Sequence, residues 1–392
     1  MINYDIKDNE IIVKLDGRID SSNSAQVQDE IDKILETAGA DKLILDAENL
    51  EYISSAGLRV VLRLRKSYPE LKVINTSSEV YDIFDMTGFT EMMTIEKGYR
   101  KISVEGCEVI GKGSNGEVYR IDPDTIVKVY FNADALPDIH RERELARKAF
   151  VLGIPTAIPY DVVKVGDSYG SVFELLNAES FTKILVREPE RFEEVVSMYV
   201  ELLKKIHSTE VEPDVMPSEK DVVIGWVKDV KEYLPQDKWE KLLSLVENVP
   251  ENHHMIHGDY HTKNVMLQNG EYLLIDMDTL CWGDPVFEFA SVYNAYKGFY
   301  AGRPAITGLS FIGIPYEMGE RVFKRTLELY FETNDEQALK TIEKKAELIG
   351  LTRILRRTMR REDLNDKIVS DAVEHYKKRI CELVDKIDDL KL

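Results

Sequence analysis

The stretch Ile256-His257-Gly258-Asp259-Tyr260-His261-Thr262-Lys263-Asn264, followed by Leu273-Leu274-Ile275-Asp276-Met277-Asp278, decides how the larger, C-terminal part of the chain reads. An Asp is followed five positions later by an Asn. A gap the length of a short hairpin then leads to an apolar strand that ends in Asp. Phosphoryl transfer needs this order of groups: Asp259 to accept or orient a hydroxyl, Asn264 for one metal ion, and Asp276 for the Mg2+ that bridges the phosphates. Single turn carboxylates are common, but three such groups at this spacing are not. His253, His257 and His261 also recur every four residues, a spacing that could bind zinc on a helix. Against zinc, the H-E-x-x-H pattern is absent, Gly258 weakens a helix there, and no further ligand set is nearby. His257 is instead expected to brace the loop through hydrogen bonds.

Working toward the N-terminus, Gly111-Lys112-Gly113-Ser114-Asn115-Gly116-Glu117-Val118 fits G-x-G-x-x-G-x-V. Alone this is a weak signal, since a Gly-rich hairpin turn looks the same. A dinucleotide fingerprint needs its third Gly to open a helix, but Glu117-Val118-Tyr119 continues as a strand. A Gly-rich loop between antiparallel strands is the form that covers ATP phosphates, with backbone N–H groups approaching the anion. Lys128 lies in the apolar strand Ile126-Val127-Lys128-Val129-Tyr130. It reads either as an edge lysine facing solvent or as a cation for the α- and β-phosphates, held by a helix carboxylate. On the next helix Glu142 falls on the apolar stripe of Ala146, Ala149, Phe150 and Gly153, while Glu144 lies off it. Glu142 is the expected partner.

With these motifs in place, residues from about 107 to 392 resemble the aminoglycoside phosphotransferase and choline kinase family, protein-kinase-like enzymes acting on small molecules. The loop 257–264 resembles that family's H-G-D-x-x-x-x-N, and Gly283-Asp284-Pro285-Val286-Phe287-Glu288-Phe289-Ala290 resembles its G-D-P-x-x-D-x-A segment, with Glu288 where Asp is usual. The resemblance implies a bilobal fold, with a strand-rich N-lobe over about 107–178 and a helical C-lobe over about 179–392. It also implies ATP and Mg2+ as cofactors, Asp259 as catalytic base, Asn264 and Asp276 as Mg2+ ligands, and Lys128 as a phosphate contact. Asp284 would support the metal Asp. Phe173 to Asn177, including Glu174 and Leu176, would be the hinge that meets adenine. Asp278 reads as a second metal or substrate-side carboxylate, or equally as a strand-end cap. The acceptor pocket would be built from variable helical segments near 180–250 and 290–360. There Glu288 and Glu317 would suit a cationic acceptor, although surface-helix carboxylates are the commoner case.

Residues 1–102 alternate short strands with amphipathic helices, the pattern of a sheet with helices packed on it. Ile11 to Leu15 reads as a strand ending at the turn Asp16-Gly17, Lys42 to Asp46 as a buried strand, and Leu71 to Ile74 as another. Tyr52-Ile53-Ser54-Ser55-Ala56-Gly57-Leu58-Arg59, at a strand-to-helix turn, resembles the STAS domain of bacterial anti-anti-sigma factors. In that family's switching members a serine here is phosphorylated, and the alignment puts it at Ser55. The alternative is that Ser54 or Ser55 merely caps the helix. The position before the serine, often Asp in switching members, is Ser54. A polar connection over about 101–106 joins the two parts.

The whole chain of 392 residues therefore reads as two domains of α/β and α+β class. With 51 Lys+Arg against 71 Asp+Glu, its net charge of −20 disfavours nucleic acid and anionic membranes as partners. Three distant cysteines, Cys107, Cys281 and Cys381, form no disulfide framework, and the N-terminus shows no leader pattern, so a cytoplasmic protein is expected. The leading expectation is an ATP-dependent phosphotransferase for a small hydroxylated molecule, with the first domain regulating it or binding a protein partner. The alternatives are a serine protein kinase and a nucleotide-binding partner-switching regulator, each acting through Ser55.

Overall fold

The computed structural model describes residues 2–7, 10–38, 42–113, 115–303 and 312–392. These fall into two compact units: Met1–Gly106 with Val162–Gly170, and Cys107–Asp161 with Ser171–Leu392.

In the first unit, β1 (Asn3–Lys7), β2 (Glu10–Ile19), α1 (Ser24–Ala38), β3 (Lys42–Ile53), α2 (Ser55–Ser67), β4 (Lys72–Thr76), α3 (Ser78–Met86), α4 (Phe89–Met92), β5 (Thr94–Lys97) and β6 (Arg100–Ile102) follow in order. The sheet runs β1-β2-β3-β4-β5. Only the β1–β2 pair is antiparallel. Alternate residues of β2 and β3 are buried: Ile11, Val13 and Leu15 face one core with Leu43, Leu45 and Ala47. Ile31, Leu58, Val61 and Phe84 close it from the helices.

Two sequence expectations need correction here. Asp16-Gly17 does not end the strand. Gly17 takes a positive φ of 65°, and the pairing with β3 shifts register on either side, so the turn dipeptide is absorbed as a bulge. Likewise Lys42 to Asp46 is only the start of β3, which runs on to Ile53 because Leu50 and Ile53 remain core residues. The polar connection after residue 100 also begins as strand: β6 pairs in parallel with residues 163–165, Val163 opposite Arg100.

The second unit opens with β7 (Glu108–Lys112), β8 (Gly116–Asp122), β9 (Thr125–Tyr130) and α5 (Leu136–Val151); β10 (Asp161–Val165), from Val162 on, and the start of β11 (Ser168–Glu174) then belong to the first unit, and β11 returns to the second at Ser171. β7 and β9 flank β8 in antiparallel register, and β11 follows β9 in the sheet. Helices dominate thereafter: β12 (Glu179–Ser180), α6 (Phe181–Arg187), α7 (Phe192–His207), α8 (Glu219–Asp229), α9 (Gln236–Glu247), β13 (Met255–Ile256), β14 (Val265–Gln268), β15 (Glu271–Leu274), β16 (Cys281–Trp282), α10 (Pro285–Tyr296), α11 (Tyr316–Phe331), α12 (Glu336–Arg361) and α13 (Lys367–Lys386). Helix α10 is buried on every side from Val286 to Tyr296. Helix α12 approaches it closely at Gly350, where a Cβ would stand 2.6 Å from Asn294 Oδ1 and 3.0 Å from the Ala290 carbonyl. Asn294 Nδ2 donates to Gly350 O across this contact (3.0 Å). Among the described residues no helix is long and apolar enough to cross a membrane.

Candidate active site

Two short strand pairs hold the loop 257–264. β13 pairs with β16, Ile256 opposite Cys281, on one side, and the β14–β15 hairpin lies on the other. Gly258 has φ 77°, and a Cβ there would meet Thr279 O at 2.6 Å, so only glycine lets the loop pass. Glu288, fully buried on α10, accepts from the backbone N–H of His257 (2.5 Å) and of Gly258 (3.0 Å). That disposes of Glu288 as a contact for a cationic acceptor, because its carboxylate is taken up by loop amides. The buried His257 ring accepts from Asp259 N–H through Nδ1 (3.3 Å). Burial lowers its pKa and favours the neutral imidazole this bond requires.

Asp259 keeps a partly exposed carboxylate, with His261 Nε2 at 3.6 Å and Arg353 Nη2 at 3.8 Å. Burial works to raise its pKa. His261 first, then Arg353 and His257, outweigh that effect and hold it well below the usual carboxylate range. Buried Asn264 donates from Nδ2 to Asp259 O (3.1 Å), which leaves its side-chain oxygen for another partner. Ile275 N–H donates to Asn264 O (3.0 Å), setting Asp276 beside the loop. Asp276 sits at φ 60° with its carboxylate half exposed.

Lys128 of β9 bridges the two parts of this unit. Its Nζ lies 3.0 Å from Glu142 Oε1 and 2.6 Å from Asp276 Oδ1. Burial alone would lower its pKa, but Asp276 and Glu142 outweigh it and keep the ammonium charged. Tyr130 O–H also donates to Glu142 (2.7 Å). Glu144 points elsewhere, to Lys148 (2.8 Å). Burial, then the charge of Glu142, pushes the Asp278 carboxyl up to about 6.

Beside Lys128 in the sheet lies the β7–β8 hairpin, with Val118 opposite Lys128 in the β8–β9 register. Gly111 lies in β7 next to the turn, where Gly113 N–H donates to Gly116 O (2.9 Å) and Asn115 O accepts from Phe131 N–H (3.0 Å). Ser114 lies outside the described residues. Glu174 ends β11 exposed, Leu175 N–H is bonded to Asp124 O (2.7 Å), and Leu176 is half-buried. Asp284 caps α10, accepting from Val286 N–H (3.0 Å), and so fixes the helix that carries Glu288. The histidines do not share a helix: His253 packs edge-to-face with Trp282 (ring centres 4.8 Å apart), while His257 and His261 belong to the irregular loop. Glu317 is exposed on α11. In the first unit Ser54 supplies the cap of α2, accepting from Ala56 N–H (3.2 Å), and leaves the Ser55 hydroxyl exposed at the first helical residue.

Sequence reasoning missed Arg353 of α12. Its Nη1 donates to Gly258 O (2.8 Å), and its guanidinium lies over Trp226 (5.2 Å to the ring centre). Its one local signal is an arginine-rich helix end, which reads as a solvated face.

A strand-rich sheet carrying a lysine, above a helical part carrying the Asp–Asn loop, is the fold of a kinase-type phosphotransferase. Residues 106–308, more than half of the chain, match the model of the phosphotransferase enzyme family, and residues 1–102 match that of the STAS domain. The chain belongs to the phosphotransferase enzyme family and carries a STAS domain at its N-terminal end. The crystal structure of a thermostable mutant of aminoglycoside phosphotransferase APH(4)-Ia, in its apo form, superposes with a TM-score of 0.50 at 15% identity, over 71% of this chain and 94% of that one. The GDP and kanamycin complex of APH(2")-IIia gives a TM-score of 0.50 at 11% identity, over 77% of this chain and 98% of that one. At such identities the likeness is one of fold. The Bordetella bronchiseptica protein BtrV, provisionally assigned as an anti-sigma factor antagonist, is 34% identical over 92 residues, which are 22% of this chain and 78% of BtrV.

Proposed function

We propose that this protein transfers the γ-phosphoryl group of ATP to a hydroxyl of a small molecule. The domains are residues 1–102 and 107–392, and the cleft lies between lobes 107–178 and 179–392. The observation that carries this reading is the meeting of Lys128, Glu142 and Asp276, from three distant parts of the chain, beside the loop that presents Asp259 and Asn264. Asp259, held ionised, takes the proton of the acceptor hydroxyl as its oxygen attacks the γ-phosphorus. The bond to the β-phosphate oxygen breaks and ADP leaves. Lys128, fixed by Glu142, places positive charge against the phosphates, and the backbone of 111–116 covers them.

The donor set fits Mg2+: Asn264 offers an amide oxygen and Asp276 an exposed carboxylate, both hard oxygen ligands. Among the described residues no three His, Cys, Asp or Glu side chains form a ready cage. This suits an ion that completes its shell with water and phosphate. Bound by Asn264 and Asp276, it would neutralise charge on the phosphates. Asp278, its carboxyl pushed up to about 6, stands as a candidate supporting carboxylate. The STAS domain would dock a protein partner, with exposed Ser55 as its modifiable position. Three free cysteines fit a reducing cytoplasm.

Asp259→Asn tests the chemistry. It should bind Mg2+ and ATP like the wild type and lose at least ~10² in turnover, read as ADP release. Wild-type turnover in this variant would sink the proposal. With labelled ATP, label retained on the chain at Ser55 and on no small molecule would favour the protein-kinase alternative.

A further inference from the structure

Helix α12 ends in a run of arginines, Arg353, Arg356, Arg357, Arg360 and Arg361, in a chain whose net charge is −20. Two of these are already engaged, since Arg356 and Arg360 share Asp229 at 2.5 and 3.5 Å. Arg353 and Arg357 stand one turn apart on a neighbouring stripe, and that stripe begins at the reacting carboxylate. Arg353 holds Gly258 O and lies 3.8 Å from Asp259. Arg357 lies over the Phe299 ring (5.7 Å) and 3.6 Å from Glu362. Arg303 reaches the same carboxylate at 2.9 Å and donates to Tyr376 Oη (2.9 Å) and Thr358 Oγ1 (3.3 Å).

Negative charge around this stripe is short. Glu362 serves two guanidiniums, and Arg353 shares Asp259 with the reaction. The carboxyl of Glu219, within electrostatic reach of Arg353, is buried against Cys281 Sγ (3.3 Å) and pushed up to about 7 by that burial. Burial, then the charges of Arg361, Arg303 and Arg353, hold the Arg357 guanidinium below its ordinary range in spite of Glu362. The side chains of Asp259, Arg353 and Arg357 are 38%, 27% and 40% exposed, so a solute can reach each of them. One helical turn of four residues rises roughly 6 Å. A molecule with its hydroxyl at Asp259 would thus hold a second group a few bonds away opposite the guanidiniums.

We propose that Arg353 and Arg357, backed by Arg303, form an oxyanion subsite, so that the phosphate acceptor is a small hydroxylated anion carrying a carboxylate or a phosphate rather than a polyamine. The inference rests on the phosphotransferase reading above. Of the two carboxylates that the sequence offered for a cationic acceptor, Glu288 is committed to the loop and Glu317 is exposed on α11, whereas Arg353 stands beside Asp259. Paired N–H donors of a guanidinium suit either oxyanion.

The test is titration calorimetry on the full chain, loaded with Mg2+ and a non-hydrolysable ATP analogue. The probes are glycerol 3-phosphate, gluconate and, as cationic control, kanamycin. At least one anion should bind saturably, more weakly as salt rises, and Arg357→Gln should weaken it by about tenfold or more. The better probe distinguishes a phosphate-bearing acceptor from a carboxylate-bearing one. Arg357→Lys, which keeps the charge, should recover part of the loss and serves if the Gln variant fails to fold. The subsite is overturned if neither anion binds, if Arg357→Gln binds as the wild type does, or if kanamycin binds more tightly than both. Analogue bound with no anion bound removes the subsite and leaves the phosphotransferase reading standing. No analogue bound removes that reading and the subsite with it.

Discussion

At Gly116 the chain has no room for a side chain: a Cβ would lie 2.3 Å from the Val129 carbonyl. Gly113, in the same motif, has its nearest neighbour at 3.7 Å. The two glycines thus have different reasons, and a motif pattern cannot separate them. Gly116→Ala must push β8 from β9 next to Lys128, and nucleotide affinity measured by calorimetry should fall by about tenfold, the scale of an overpacking strain. Asp278 offers a pH test. Its folded pKa of about 6 exceeds the ordinary Asp value of about 3.9, so the folded state binds the extra proton between those pH values. Stability is therefore lost as pH rises toward and through 6. Asp278→Asn should remove that loss. Urea denaturation should find the variant about 1 to 2 kcal/mol more stable than the wild type at pH 8 and little different at pH 4.

Helix α10 shows how an element can serve the site without touching a substrate. Asp284 caps it, Pro285 starts it, and Glu288, one turn in, accepts two amides of the catalytic loop. Glu288→Ala would leave both amides buried without a partner. The expected cost is about 2 to 4 kcal/mol, seen as a lower denaturation midpoint of the larger unit, together with a loss of turnover. Wild-type stability in that variant would show that water replaces the carboxylate. The sequence marked this position only through its resemblance to a family segment, since a buried Glu and a surface Glu look alike in one dimension. Choosing Glu142 over Glu144 was possible because helical periodicity itself separates them. The extent of β2 was not readable: Asp16-Gly17 is chemically a turn, and only pairing with β3 makes it a bulge.

The two units keep separate hydrophobic cores, one built from residues between Ile11 and Met93, the other from residues between Leu145 and Leu390. They should unfold as distinct transitions in scanning calorimetry. Nucleotide at about 100 times its Kd should stabilise only the larger one, by about 2.7 kcal/mol. A shift of both transitions together would show that the units are energetically coupled.

From the amino-acid sequence alone came the groups that short covalent spacing places together: the loop from His257 to Asn264, the strand ending in Asp276, the glycine hairpin, and the strand–helix turn at Ser55. There local geometry and chemistry follow from a few neighbouring residues. Only the tertiary structure decided that Lys128 meets Asp276 across 148 positions, that Arg353 stands beside Asp259, and that Glu288 faces inward. Those pairings depend on burial and on contacts between distant helices, and no local spacing encodes them.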